Sequence, residues 1–369
     1  MKCSRPFNFA PGPSQMPEEV LLRLREEMMN WKESGMSVLE LPHRGSYFQE
    51  ILDETAALGA KLLGLPSSHS LVFMQGGARA QNALIPLNLL GEKKKCDYLI
   101  TGLWSEVSAK EARKYGEVGV VASIDASPLA IPPMEEWVLD KNACYLHFCS
   151  NETVQGVEVH DWPTFQKLSS KVPMVVDVSS NIFTRQLDFS ETAIAYAGAQ
   201  KNTGPAGVTL VVLNKNFLEK NNKKKHKFCP SVFDYSNVLE NNSCFNTPPT
   251  LAIFITKLMF EWIEKLGGVE KMEWLNRQKA DRLYNFLDES SFYSSNVKEC
   301  SRSRVNIPFF LPSNHLMKPF LLGAREKGLL NLQGHKLTGG LRASLYNSMP
   351  LEGVNKLVHW LIEFEKQFS

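Results

Sequence analysis

At 369 residues the chain is long enough to bury a large core and divides more readily into two domains than one. Its 43% hydrophobic and 22% charged residues are those of an ordinary globular protein. A formal net charge of +2 argues against a protein that coats a polyanion.

After a Pro/Gly-rich arm containing Phe9-Ala-Pro-Gly-Pro13, apolar residues at Val20, Leu21, Leu24, Met28 and Trp31 recur at helical spacing, with Pro17 near the helix start. Apolar runs at 70–74, 98–101, 144–149, 172–178 and 208–213 read as buried strands, separated by helical or irregular segments such as 81–90 and 105–115. This alternation predicts an α/β fold with a mostly parallel sheet. From Pro248 the character changes: a continuous apolar load over 250–266 stops at Gly267-Gly268, and a second helical pattern follows over 269–287. A strand at 305–311 belongs to a smaller α+β region that completes the chain. The expected division is a large domain over 16–255 and a small C-terminal domain over 256–369, with the arm 1–15 packing near the latter.

The basic stretches 93–95 and 223–227 have no interleaved aromatic residues, so they read as solvated loops and no nucleic-acid partner is expected. Seven cysteines (Cys3, Cys96, Cys144, Cys149, Cys229, Cys244, Cys300) are odd in number, scattered and without a CxxC pair, which signals neither a disulfide framework nor a metal site. The N-terminus lacks a segment of signal-peptide length, and no run approaches the ~18 apolar residues of a membrane span. A soluble, cytoplasmic protein is the expectation.

In open α/β sheets, ligands bind beyond the carboxyl ends of the strands, and several chemically capable residues fall at such places. Lys201 lies in Ala195-Tyr-Ala-Gly-Ala-Gln-Lys-Asn-Thr-Gly-Pro-Ala-Gly-Val208, among small and apolar residues. A desolvated lysine is a nucleophile toward carbonyl groups, which makes Lys201 a candidate Schiff-base residue; the spacing also suits a plain loop lysine. Asp177 ends the run 172–177, where a buried charge needs a partner: a protonated pyridine nitrogen, or backbone amides. Gln75-Gly-Gly-Ala-Arg-Ala-Gln81 joins a strand to a helix and is either a tight turn or a phosphate cup. Trp104 follows another strand and can stack on a flat ring or sit in the core. Thr153 can donate to a phenolate oxygen or form a turn. Together these supply an amine, an acid, a stacking face and an anion cup, the usual equipment of an enzyme using pyridoxal 5′-phosphate (PLP).

The ordered set resembles the phosphoserine aminotransferase family, in the class V branch of the fold-type-I PLP enzymes. The likeness spans nearly the whole chain, through Asn8-Phe-Ala-Pro-Gly-Pro13, Ser37-Val-Leu-Glu-Leu-Pro-His-Arg44, Gly198-Ala-Gln-Lys-Asn-Thr-Gly-Pro-Ala-Gly207, Asn246-Thr-Pro-Pro249 and Gly340-Leu-Arg-Ala-Ser-Leu-Tyr-Asn347. The resemblance implies the PLP-dependent transferase fold type I, with Lys201 holding PLP, Asp177 pairing its ring nitrogen, Trp104 stacking and Thr153 at the phenolate oxygen. It places Ala78, Arg79 and Gln200 at the cofactor phosphate, joined by Asn246 and Thr247 from the neighbouring subunit of a homodimer. Arg342 matches the residue that grips the substrate α-carboxylate, a task suited to a bidentate guanidinium. His43 and Arg44, across the interface, and His335 match contacts to the substrate phosphate. The implied reaction is a ping-pong transfer of the amino group from L-glutamate to 3-phosphohydroxypyruvate, giving O-phospho-L-serine and 2-oxoglutarate in serine biosynthesis.

Two other readings compete. A cysteine desulfurase shares the fold but usually stacks a histidine and needs a mobile nucleophilic cysteine, for which Cys300 is the tempting candidate. A non-catalytic phosphate- or nucleotide-binding protein would use the Gly76-Gly77 turn, and the set Lys201, Asp177 and Arg342 argues against it. One departure from the family stands out: where it usually has Gly-His-Arg, this chain reads Gly334-His-Lys336. Lysine keeps the charge but loses the planar fork. Lys336 is expected still to contribute to phosphate binding, more weakly than arginine, so Lys336→Ala should raise KM for the phosphorylated substrate; an unchanged KM removes it from the site.

Overall fold

The computed structural model describes residues 5–91, 95–124, 127–221 and 225–369. Cys3 and the lysines at 93, 94, 223 and 224 lie outside the described residues, and no disulfide joins the six described cysteines to one another. The arm enters as β1 (Phe7–Asn8), and α1 (Glu18–Glu27) begins directly after Pro17. This helix ends earlier than the apolar spacing suggests. The Asn30 side chain accepts the Gly35 N–H at 2.8 Å and turns the chain, so Trp31 reaches the core from a separate 3₁₀ turn. Then come α2 (Ser46–Leu63), β2 (His69–Met74), α3 (Gly77–Leu89), β3 (Lys95–Ile100), α4 (Leu103–Ala112), β4 (Glu117–Ser123) and β5 (Leu146–Cys149). A small hairpin of β6 (Asn151–Glu152) and β7 (Val157–Glu158) precedes β8 (Met174–Asp177), β9 (Thr192–Gly198) and β10 (Thr209–Asn214).

Seven of these strands form one sheet in the order β2-β10-β9-β8-β5-β3-β4. Only β10 runs against the rest, antiparallel to both β2 and β9. The cause is local: the connection 199–208 is shorter than the dozen or more residues a parallel crossover needs, so the chain must reverse. Two strands carry no clear sequence signal. β9 is built largely of alanine and glycine, poor strand formers on propensity, yet it lies buried between neighbours on both sides. β4 is a half-exposed edge strand with Gly119 in its interior, a residue that weakens strand patterns.

Helices α5 (Lys215–Asn221), α6 (Tyr235–Glu240), α7 (Thr250–Lys265) and α8 (Gly268–Glu289) follow, then β11 (Asn306–Phe309), α9 (Met317–Glu326), β12 (Leu329–Leu330), β13 (Leu341–Ser344) and α10 (Leu351–Phe368). β13 pairs antiparallel with β11, and β12 pairs parallel with β1, which ties the arm to the C-terminal part of the chain. A core around the sheet includes Phe254, Leu258 and Phe260 of α7; a second joins Phe320, Leu357 and Phe364 to Phe9 of the arm. α8 bridges them, with Val269 and Met272 in the first and Leu283 and Leu287 in the second.

α2 packs on α7 through Gly59, where a Cβ would lie 2.4 Å from Leu71 and 2.6 Å from Phe260. That close approach buries Phe260 completely against Phe183, ring centroids 4.8 Å apart. Phe260→Ala should therefore destabilise the protein by about 3–5 kcal/mol through loss of burial and the cavity left behind. Trp274→Ala, at a 52% exposed position, should change stability by no more than about 0.5 kcal/mol. Comparing the two variants in denaturant unfolding checks the pair.

Candidate active site

Because β2, β3, β5, β8 and β9 share one direction, their carboxyl ends open on the same edge of the sheet, and each is followed by a candidate residue. Ala78 and Arg79 follow β2, Trp104 follows β3, Thr153 follows β5, Asp177 ends β8, and Gln200 and Lys201 follow β9. All seven line one cavity of about 270 Å³, with Gly76, Gly77, Asn151, Ser179 and Ser180. Two larger cavities, of about 500 and 480 Å³, lie elsewhere; the second, beside Trp137 and His160, holds Cys300, which is thus apart from Lys201.

Lys201 Nζ donates to Thr153 Oγ1 at 2.7 Å and stands 5.9 Å from the centroid of the Trp104 ring. Burial lowers its pKa below the ordinary lysine value, while the carboxylate of Asp177 and, less strongly, Cys149 and Glu152 pull it back up. Asp177 is displaced the other way: burial raises its pKa, opposed by Lys201 and by hydrogen bonds from Ser179, whose N–H donates to Oδ1 at 2.8 Å. The arm holds the lysine's backbone. Ser14 N–H donates to Gln200 O at 2.9 Å, its hydroxyl donates to Lys201 O, and a Cβ at Gly12 would come within 3.2 Å of Lys201 Cγ.

The lining fits a flat aldehyde that bears a phosphate. Gly76 adopts φ +93°, where a Cβ would strike Ala80 at 2.5 Å, and this left-handed turn presents the unpaired amides at the start of α3 to an anion. The Asp177 carboxylate can balance a cationic ring nitrogen, and Trp104 Nε1 is buried with no partner among the described residues. Arg342, on β13 and 5% exposed, donates from Nη1 to Thr153 O at 3.3 Å, and its buried Nε has no partner among the described residues. A guanidinium thus held beside Thr153 with donor capacity to spare suits a carboxylate.

Besides Arg342, which reaches Thr153 from β13, six expected residues do not line this cavity. Asn246 and Thr247 are exposed, although Gln75 Nε2 reaches Thr247 O at 3.0 Å. Arg44 is exposed and His43 half-buried, its Nε2 without a partner. His335 and the exposed Lys336 sit in the loop before β13. Conversely, Asn151, Ser179 and Ser180 line the cavity without having been singled out in the sequence. Their signal was position alone, two or three residues from the strand ends that carry Thr153 and Asp177.

The aminotransferase class-V family profile matches residues 6–357, and the chain belongs to that family. Among curated relatives, the phosphoserine aminotransferase of Bordetella parapertussis is 46% identical over 377 aligned residues, covering 99% of each chain. The phosphoserine aminotransferase of Ralstonia nicotianae is also 46% identical, covering 98% of this chain and 96% of its own. Among solved structures, the phosphoserine aminotransferase of Bacillus circulans subsp. alkalophilus superposes with a TM-score of 0.93 at 37% identity, covering 99% of both chains. The PLP-bound enzyme of Trichomonas vaginalis gives a TM-score of 0.92 at 37% identity, covering 97% of this chain and all of its own. The expected fold is thereby established, and the cofactor of this family is PLP. Among the described residues no helix is long and apolar enough to cross a membrane, and no group of three His, Cys, Asp or Glu side chains is placed to hold a metal ion.

The opposing shifts of Lys201 and Asp177 generate a test. Asp177→Asn removes the largest influence that raises the Lys201 pKa, so in the apoprotein the amine should react with a small acylating reagent at lower pH than in the wild type. Site-resolved mass spectrometry of labelling against pH reads the midpoint; an unchanged or higher midpoint contradicts the arrangement.

Proposed function

We propose that this chain carries out the phosphoserine aminotransferase reaction, moving the amino group of L-glutamate to 3-phosphohydroxypyruvate in two half-reactions. The observation that carries the reading is the placement of the Lys201 amine: 2.7 Å from Thr153, in one cavity with Asp177 and Trp104, while Arg342 is tied to the same threonine. The close relatives named for this activity support the choice of substrates.

Bound PLP supplies an aldehyde that captures amines and a ring that withdraws electrons from the carbon bearing the captured nitrogen. The protein's part is to hold, orient and move protons. Lys201 Nζ would hold the cofactor and, once displaced by glutamate, would be the group placed to take the proton from the substrate Cα, its basicity tempered by burial. Asp177 would balance a cationic ring nitrogen, Thr153 Oγ1 would serve the ring oxygen, and Trp104 would stack on the ring. The amides at Ala78 and Arg79, with Gln200, would hold the cofactor phosphate.

Arg342 grips the α-carboxylate common to glutamate and the phosphorylated partner. His43, Arg44, His335 and Lys336 serve the substrate phosphate, and Asn246 and Thr247 the cofactor phosphate. His43, Arg44, Asn246 and Thr247 lie outside the cavity of their own chain, which is why we propose a homodimer with each protomer completing the other's site. Residues 16–255 form the PLP-binding domain and 256–369 the small domain in this scheme, and the enzyme works in the cytoplasm.

Lys201→Ala should lower multiple-turnover activity by at least about 10²-fold, the minimum expected from loss of the base alone. In the wild type, glutamate and O-phosphoserine should each change the cofactor spectrum in a half-reaction, whereas alanine and cysteine should not. Sulfide released from cysteine would support a desulfurase instead.

A further inference from the structure

Glu152 is fully buried and forms no salt bridge among the described residues, yet its carboxylate is well supplied with donors. Oε2 accepts the Trp104 N–H at 2.9 Å, and Oε1 accepts both the Ser105 N–H at 2.8 Å and the Ser105 hydroxyl at 2.7 Å. Gln155, in the same hairpin, accepts the Leu103 N–H at 3.1 Å. The first three amides of α4, which have no partner within the helix, are therefore all taken up by one segment of another part of the chain. Gly102 allows this approach, since a Cβ there would lie 2.4 Å from Gln155 Oε1 and 2.8 Å from Glu152 Cδ. Burial disfavours the charged carboxylate and these donors favour it.

The segment that grips Trp104 continues directly into Thr153, whose Oγ1 accepts a hydrogen bond from Lys201 Nζ at 2.7 Å. We propose that Glu152 is a positioning residue that fixes the Trp104 indole relative to Thr153 and Lys201, and so sets the width of the slot into which the cofactor ring fits. The inference rests on the proposed stacking role of Trp104. The mechanical logic is that a carboxylate bridging two consecutive amides allows little sliding of the helix end, whereas one capping bond would leave a pivot.

The test is a double-mutant cycle on the full-length protein, read by PLP affinity of the apo form and by the circular dichroism of bound PLP in its own absorption band. Glu152→Gln turns an amide NH₂ toward one of the helix N–H groups. It should weaken PLP binding about tenfold, within the range for coupled neighbours, and diminish the cofactor dichroism. In a Trp104→Ala background the same change should weaken binding by less than about twofold. Glu152→Asp, which keeps the charge but withdraws the oxygens by one methylene, should act in the same direction and replaces the glutamine variant if that one does not fold. Equal losses in both backgrounds, or wild-type affinity and dichroism in folded variants, overturn the positioning role alone. Unchanged affinity and dichroism in Trp104→Ala itself overturn the stacking role, and the proposal falls with it.

Discussion

An amine and a carboxylate share one buried cavity at the ends of adjacent parallel strands, and much of the remaining structure follows from keeping them there. Desolvation pushes Lys201 and Asp177 toward their neutral forms, while each stabilises the charge of the other. The balance leaves a lysine less basic than usual beside an acid weaker than usual, a state that water would abolish. Sheet direction makes it possible: parallel strands bring the ends of β2, β3, β5, β8 and β9 to one edge, and side chains far apart in sequence meet there.

Around that pair the protein spends backbone groups rather than extra charges. The proposed anion cup is a left-handed glycine turn and the start of a helix, and the lysine's own carbonyl is held by a serine from the N-terminal arm. Asn202, the residue after Lys201, donates to Ser180 O at 2.9 Å and accepts the Asn347 N–H at 3.2 Å, linking the cavity wall to the chain beyond β13. Such bonds have fixed direction and little conformational freedom, which suits groups that must stay in register while substrates come and go.

How much was legible in the sequence depended on whether the signal was local. The strands ending at Met74, Cys149 and Asp177 announced themselves as apolar runs, and the residues beyond them were found because a strand end is a place as well as a pattern. β9 was not legible, since alanine and glycine become a strand only between β8 and β10, a fact of tertiary context. Lys201 looked like part of a glycine-rich loop for the same reason, and residue order across the whole chain, rather than its own neighbourhood, gave it a role. His43, Arg44, Asn246 and Thr247 are the hardest case: a single chain leaves them outside the cavity, and only resemblance attaches them to it. Ser179 and Ser180 lacked even that, having no chemistry that distinguishes them from turn serines until the cavity is seen.

The N-terminal arm joins distant parts of the chain. Asn8 accepts a hydrogen bond from Asn331, 323 residues away, and Pro11 one from Tyr346, 335 residues away, so these contacts of the arm close very long loops of chain. The same segment clamps the backbone at Gln200 and Lys201. The loop that carries Lys201 is thus tied, through the arm, to contacts near residues 331 and 346, and its placement depends on the C-terminal part of the fold as well as on the sheet.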